Sequence, residues 1–229
     1  MGLIFDEVAG ELPLVERVWA ARFDAEVSFA SVAKASTMLS FAGNDAGWSM
    51  YVHGPETKAS NLTCPKGWEF FGVELKVGAH LPLFPSAAVA DLRDAQLPTV
   101  AGGRILLDNR DWEMPTADNV DVFVARLVRA GLLVTDPLVE EIHQDRRPRG
   151  VSERTAQVRF RRAVGISRRK VASIERARST AQFLMTGGST AEAISVGGYY
   201  DQPQLTRAMR WATGHTPSQL RSDPRFLAF

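Results

Sequence analysis

Ser189-Thr-Ala-Glu-Ala-Ile-Ser-Val-Gly-Gly-Tyr-Tyr-Asp-Gln-Pro-Gln-Leu-Thr-Arg207 is the stretch that decides the fold. Ser189 with Glu192 three residues on is a capping box, which opens a short helix carrying Ala193, Ile194 and Val196. Gly197-Gly198 then turns the chain tightly. Asp201 caps a second helix, in which Leu205, Met209 and Ala212 recur at helical spacing and form one inward stripe. Two short helices joined by a glycine turn predict a helix-turn-helix.

Upstream, the second helix has a copy at a constant offset of 49 residues. Ser152 matches Asp201 as an N-cap, Ala156 matches Leu205, and Phe160 matches Met209. Arg161 matches Arg210, Ala163 matches Ala212, and Gly165 matches Gly214. Ala156, Phe160 and Ala163 make the corresponding inward stripe, and each helix ends at a glycine able to take the left-handed conformation. The two helices are expected at about 152–164 and 201–213.

The outward faces carry the chemistry. Arg154, Val158, Arg161 and Arg162 point away from the first stripe. Pro203, Thr206, Arg207 and Arg210 point away from the second, with Gln202 and Gln204 at its margin. Arginine can pair a guanine edge and glutamine an adenine edge in a major groove, and a thymine methyl suits Val158. A solvated basic surface is the competing reading. Between the copies, a helix over about 167–185 buries Val171, Ile174, Ala177, Ala181 and Leu184. Its first turn holds Arg168, Arg169 and Lys170, three cations against the helix dipole. A bound phosphate would reconcile them with that helix start; a frayed, solvated turn is the alternative.

The first half reads differently. In Phe71-Gly-Val-Glu-Leu-Lys-Val77, Phe71, Val73, Leu75 and Val77 alternate with Gly72, Glu74 and Lys76, as in a half-buried strand. Further strands are expected at 27–33, 37–41 and 49–53, with turns at Gly43-Asn44-Asp45, Gly54-Pro55 and Pro65-Lys66-Gly67. Prolines 82, 85, 98 and 115 break the pattern after His80. Leu81, Leu83, Phe84, Leu92, Ile105, Leu106 and Leu107 are expected to pack on the sheet. A closing helix follows, capped by Thr116 or Asp118, carrying Phe123, Leu127 and Ala130, and stopped at Gly131. Asp136-Pro137 opens the next, with Leu138, Val139 and Ile142.

The fold expected is thus α+β in two domains. A small antiparallel sheet or barrel-like N-terminal domain spans 1–131, and an all-α double helix-turn-helix domain spans 132–229. Charge divides the same way. Residues 1–145 carry 11 Lys/Arg and 21 Asp/Glu, a balance of −10. Residues 146–229 carry 16 and 5, a balance of +11, and 15 of those 16 are arginine. A basic segment of this kind fits a polyanion such as DNA, and the arginine fork suits phosphates and guanine. No apolar run is long enough to span a bilayer, the N-terminus lacks signal-peptide character, and the lone Cys64 permits no intrachain disulfide. A cytoplasmic protein without membrane contact is expected.

At these residues the chain resembles the AraC/XylS transcription regulators, found in bacteria. The resemblance is carried by Ser152-Glu-Arg-Thr-Ala-Gln-Val-Arg-Phe160, Gly165-Ile-Ser167 and Ile174-Glu-Arg-Ala-Arg178. It is strongest in Gly198-Tyr-Tyr-Asp-Gln-Pro-Gln-Leu-Thr-Arg207 and Gly214-His-Thr-Pro217. It implies two recognition helices held by a linker helix and entering successive major grooves of double-stranded DNA, ~34 Å apart. It implies base contacts from Arg154, Gln157 and Val158, and from Gln202, Gln204, Thr206 and Arg207. Two departures stand out. Val158 replaces a commonly polar or basic residue, and Arg146-Arg-Pro-Arg-Gly150 leaves little room for a complete first unit. The N-terminal part is similar to the β-rich sensor-like domains that precede such DNA-binding domains, through His53-Gly-Pro-Glu-Thr57 and the Phe71 strand followed by Gly78. A small-molecule effector, RNA polymerase and a second copy of the chain are the further candidate partners.

Other readings of single residues are weaker. Trp48, Tyr51, Trp68, Phe70 and Phe71 suit a core better than an effector pocket. His53 and His80 lack a third ligand at a metal-binding spacing. Cys64 reads as a passive thiol, and Glu69 and Glu74 read as strand-surface charge. No phosphate loop, nucleophile elbow or paired-carboxylate motif is present, so neither catalytic residues nor cofactor are expected. A degenerate regulator working by protein contact, and an N-terminal enzyme with a basic accessory domain, remain as alternatives.

Overall fold

The computed structural model describes residues 3–8, 13–91, 93–144, 146, 150–222 and 227–228, the first and last of these runs by backbone alone. Among the described residues, an antiparallel β-region precedes seven α-helices. The chain forms two compact units interleaved in sequence. One comprises Met1–Val27, Ser36–Pro55 and Cys64–Ser167; the other comprises Ser28–Ala35, Glu56–Thr63 and Arg168–Phe229. Among the described residues no helix is long and apolar enough to cross a membrane.

The first unit is built on an open six-stranded sheet of order β1-β2-β7-β4-β5-β8. Its strands are β1 (Leu3–Val8), β2 (Val15–Phe23), β4 (Met38–Asn44), β5 (Gly47–His53), β7 (Glu69–Leu75) and β8 (Ala95–Gln96). β3 (Val27–Ser31) and β6 (Ser60–Cys64) leave this sheet and pair with β12 (Leu227–Ala228) in the order β12-β3-β6. One sheet face packs Leu39, Phe41, Val52, Val73 and Leu75 against Leu81, Ile105 and α1 (Val120–Arg129). Phe41 stacks on Phe71 at 4.5 Å and meets Phe123 of α1 edge-on at 5.9 Å.

β7 departs from the half-buried pattern its sequence suggests. It lies between β2 and β4, and residues 71–75 are buried on both faces. Trp19 covers Gly72 so closely that a Cβ there would sit 2.7 Å from the indole. Glu74, expected on the surface, is only 6% exposed. Its carboxylate accepts from Arg17 Nη2 at 3.0 Å and from Ser36 Oγ at 2.6 Å, which is how a buried charge is tolerated. Glu69 does lie at the surface, paired with Arg22 at 3.3 Å.

The proline-rich segment holds a small meander, β9 (Thr99–Val100), β10 (Arg104–Leu107) and β11 (Arg110–Trp112), in the order β11-β10-β9. Asp108 and Asn109 both take positive φ, 53° and 56°, which closes the β10–β11 hairpin. Leu81, Ile105 and Leu107 are buried as expected; Leu83 is instead 48% exposed, and Leu92 lies outside the described residues. The cap of α1 is Asn119 rather than Thr116 or Asp118. The Asn119 side chain does not cap the helix but accepts from the Thr116 N–H at 2.8 Å. Gly131 takes φ 71° just beyond the helix end.

Two more helices belong to this unit, α2 (Pro137–His143) and α3 (Glu153–Val164). Asp136 caps α2 through the Leu138 N–H at 3.0 Å. The same carboxylate receives a bidentate fork from Arg159 of α3 at 2.9 and 2.6 Å, tying the two helices together.

The second unit contains α4 (Arg168–Met185), α5 (Thr190–Val196), α6 (Gln202–Thr213) and α7 (Pro217–Ser222). α4 buries Val171, Ile174, Ala177, Ala181 and Leu184, the stripe its periodicity predicts. Residues 28–35 and 56–63 meet the far end of α6. The Ala33 N–H donates to Ala212 O at 2.7 Å and the Ala59 N–H to Trp211 O at 2.9 Å, satisfying carbonyls that a helix end otherwise leaves open. Lys34 and Glu56 lock these segments together. They exchange backbone hydrogen bonds and form a buried ion pair at 2.9 Å, with Ser31 and Ser60 also donating to the Glu56 carboxylate.

Candidate nucleic-acid interface

The α5–turn–α6 pair has the geometry of a helix-turn-helix. Ser189 Oγ accepts the Glu192 N–H at 3.2 Å, and Glu192 Oε2 accepts the Ser189 N–H at 3.0 Å. The Ser189 hydroxyl also donates to that carboxylate; these side-chain and backbone hydrogen bonds hold Glu192 below the usual glutamate range. The turn is set by Gly198 at φ 62° and by Tyr199, whose N–H donates to Ile194 O at 2.9 Å. The Tyr199 ring is buried beneath the Arg176 guanidinium, 5.0 Å from its centroid. Asp201 Oδ1 then accepts the Gln204 N–H at 2.7 Å and starts α6.

Along α6, Leu205, Met209, Ala212 and Thr213 are fully buried, and Ala208 and Trp211 are half-buried. Gln202, Gln204, Arg207 and Arg210 are exposed, whereas Thr206 is half-buried. Gln204 is already engaged, since its Oε1 accepts the Tyr200 N–H at 2.6 Å. Arg207 and Arg210 enter no salt bridge among the described residues.

On α3, Ser152 Oγ accepts the Thr155 N–H at 3.1 Å, and Phe160 and Ala163 are buried. Arg154, Gln157, Val158, Arg161 and Arg162 are all exposed, Val158 by 61%. The Gln157 amide leans back on its own helix and donates to Glu153 Oε1 at 3.3 Å. Of the segment expected to abbreviate the turn before α3, residues 147–149 lie outside the described residues. In the first turn of α4, Arg168 and Arg169 are exposed, while Lys170 places its ammonium 4.3 Å from the Trp211 ring centroid. Only two of the three cations expected there therefore project outward.

Three features escaped the sequence reading. Tyr200, next to buried Tyr199, is 91% exposed. Ser40, His53 and Asp94 form a relay in the first unit: His53 Nε2 lies 2.5 Å from Ser40 Oγ and His53 Nδ1 lies 2.7 Å from Asp94 Oδ1. The order of exposure is the reverse of a nucleophilic triad, with the Asp94 side chain 29% exposed and Ser40 at 8%. Ser40 also sits mid-strand between Tyr51 and Gly72, where ladder pairing engages the backbone N–H groups an oxyanion would need. The relay joins Asp94 to the sheet. Third, a cleft of ≈ 620 Å3 opens on that unit, lined by Ala20, Arg22, Trp48, Phe70, Phe71 and Met114 among others. Trp48 and Phe70 are half-buried there and Phe71 belongs to the core. Elsewhere His80 Nδ1 lies 3.0 Å from Gly78 O, and burial pushes the Cys64 thiol up to about 11, so it stays protonated near neutral pH.

No family model matches the chain, and no curated protein matches it. A solved structure of ToxT from Vibrio cholerae, at 1.65 Å, is similar at 12% identity and a TM-score of 0.39, over 88% of this chain and 95% of that one. A likeness at that level carries no weight for function.

Proposed function

We propose that this chain is a sequence-specific regulator of transcription that binds double-stranded DNA, with α6 as its principal recognition helix. The observation that supports this most is the α5–α6 pair. α6 is pinned by a buried stripe, capped at both ends, and leaves Gln202, Arg207 and Arg210 projecting from an exposed face. Such a helix presents its first turns to base edges when it lies in a major groove. Residues 132–229 form the DNA-binding part in this reading. α3 supplies a second recognition helix through Arg154, Val158, Arg161 and Arg162, and Arg168 and Arg169 contact phosphates. Gln157 takes part to the extent that it releases Glu153. The first half senses or dimerises, and the cleft beside Trp48 suits a largely apolar effector. AraC-type regulation, a cytoplasmic location and contact with RNA polymerase belong to the same proposal.

The test is a titration of full-length protein against mixed-sequence duplex at several salt concentrations. Arginine–phosphate contacts release counterions, so log affinity is expected to fall linearly with log salt, with a slope of roughly −0.9 per phosphate neutralised. Absence of duplex binding at low salt would overturn the reading.

A further inference from the structure

Tyr199 and Tyr200 are consecutive and opposite: one is 7% exposed, the other 91%. The buried ring anchors the turn. It packs so close to Gly197 that a Cβ there would lie 2.5 Å from Tyr199 Cε2, and it carries Arg176 over its face. Tyr200 is fixed by that anchor and by its own N–H, which donates to Gln204 Oε1 at 2.6 Å. An aromatic side chain is thus held in solvent at the leading edge of α6 by a backbone that cannot easily withdraw it. Tyrosine in such a place, with a flat apolar ring and a hydroxyl donor, suits a partner that is apolar and polar by turns. A sugar-phosphate strand is such a partner, since hydroxyl groups commonly hydrogen-bond its phosphates. Charge favours it too. In residues 193–222 the only acid is Asp201, and its carboxylate is committed to capping α6, while Arg207, Arg210 and Arg221 are cationic.

Gln204 is the other half of the arrangement. A glutamine that reads adenine uses its carbonyl as acceptor and its amide as donor together. Here one lone pair of the carbonyl is already taken by the Tyr200 N–H, which fixes the direction of the amide. Forty-nine residues upstream, Thr155 has the same relation to its helix start: its N–H is capped by Ser152 Oγ, and its hydroxyl lies 2.9 Å from that oxygen. In both copies the side chain three residues after the cap serves the turn.

We infer that Tyr200 is a DNA-backbone contact and that Gln204 is a positioning residue that presents it, rather than a base reader. This rests on the proposed DNA-binding function, and the experiment separates the two. Full-length wild type, Tyr200→Ala, Tyr200→Phe and Gln204→Glu are titrated against mixed-sequence duplex over a range of salt, and each is passed through selection from a random duplex pool. Tyr200→Ala is expected to weaken binding to selected and unrelated duplexes alike by roughly three- to tenfold. The salt slope stays unchanged, since no charge is lost, and thermal melting stays that of wild type because the ring is exposed. Tyr200→Phe recovers the part due to the ring. Gln204→Glu keeps the acceptor for Tyr200 and selects the same sequence as wild type. Unchanged affinity of Tyr200→Ala, or a shift in the preferred base at one position with Gln204→Glu, overturns the inference while leaving the DNA-binding proposal standing. Failure of wild type to bind duplex overturns both.

Discussion

α3 and α6 are two versions of one device, and where they differ is instructive. Each has 12 residues, a side-chain cap at its start and a left-handed glycine at its end; Phe160 and Ala163 are buried in register with Met209 and Ala212, whereas Ala156, the counterpart of buried Leu205, is half-buried. Their penultimate carbonyls are even held alike. Ala163 O accepts from Ser86 Oγ at 2.8 Å and its counterpart Ala212 O accepts from the Ala33 N–H at 2.7 Å. In both cases a segment from the first half of the chain finishes the helix. The faces turned outward diverge. Val158 occupies in α3 the place of Arg207 in α6, and Gln157 the place of Thr206. Under the proposed DNA-binding function, matched scaffolding with different outward residues means that the two copies share a docking role and divide the reading unequally.

The largest effect that tests this division is on binding. Arg207→Ala is expected to cost about 1–3 kcal/mol on a selected duplex, or roughly 5- to 150-fold, and much less on unrelated DNA. Val158→Ala at the matching position should cost under about threefold, as loss of two methyl groups at an exposed site. Titrations of both variants on both duplexes decide it, and equal losses would erase the distinction between the helices.

Next comes the helix end. Gly165 and Gly214 both have positive φ, 84° and 75°. A Cβ at Gly165 would lie 2.8 Å from the backbone of Ser86 and Ala87, whereas at Gly214 the nearest atom is 3.8 Å away. Denaturant unfolding should show Gly214→Ala losing about 1–2 kcal/mol from backbone conformation alone. Gly165→Ala should lose clearly more, and the reverse order would mean the close approach to Ser86 is not rigid. Ser86→Ala, which leaves the buried Ala163 carbonyl short of a donor, should cost about 1–3 kcal/mol in the same assay.

The smallest effect belongs to the partner helix of α6. Glu192 is held below the ordinary carboxylate range, so its folded value lies under its unfolded one. Its contribution is therefore complete above the unfolded value, near 4.5, and disappears as pH falls through the lower folded value. Thermal melting of wild type and Glu192→Gln should converge on the acid side of that window. A constant gap down to the lowest pH would show that the carboxylate's charge is not involved.

Legibility in the sequence followed contact range. The caps at Ser152, Ser189 and Asp201, the buried stripes, and the terminal glycines depend on residues three or four apart, and periodicity exposes them. Strands β4, β5 and β7 were legible with shifted ends. Glu74 was misread because its partners Arg17 and Ser36 lie far off in sequence, and alternation alone cannot tell a central strand from a half-covered one. The Ser40–His53–Asp94 relay was hidden for the same reason. So was the departure of β3 and β6 to join the helices of the second unit. The β9–β11 meander was obscured by prolines, although Asp108-Asn109 is a turn signal that could have revealed it. On α3 and α6, exposure of the arginines was legible, but the engagement of Gln204 by Tyr200 was not, since an exposed glutamine reads identically whether free or tied.

The central claim is that α6 reads a sequence while α3 chiefly docks. Selection of bound duplexes from a random pool by the full-length protein, at near-physiological salt, tests it most directly. The account predicts one strongly specified box, with a second, weaker one about a helical turn away. Failure to enrich any motif, or enrichment of two boxes of equal strength, would contradict it.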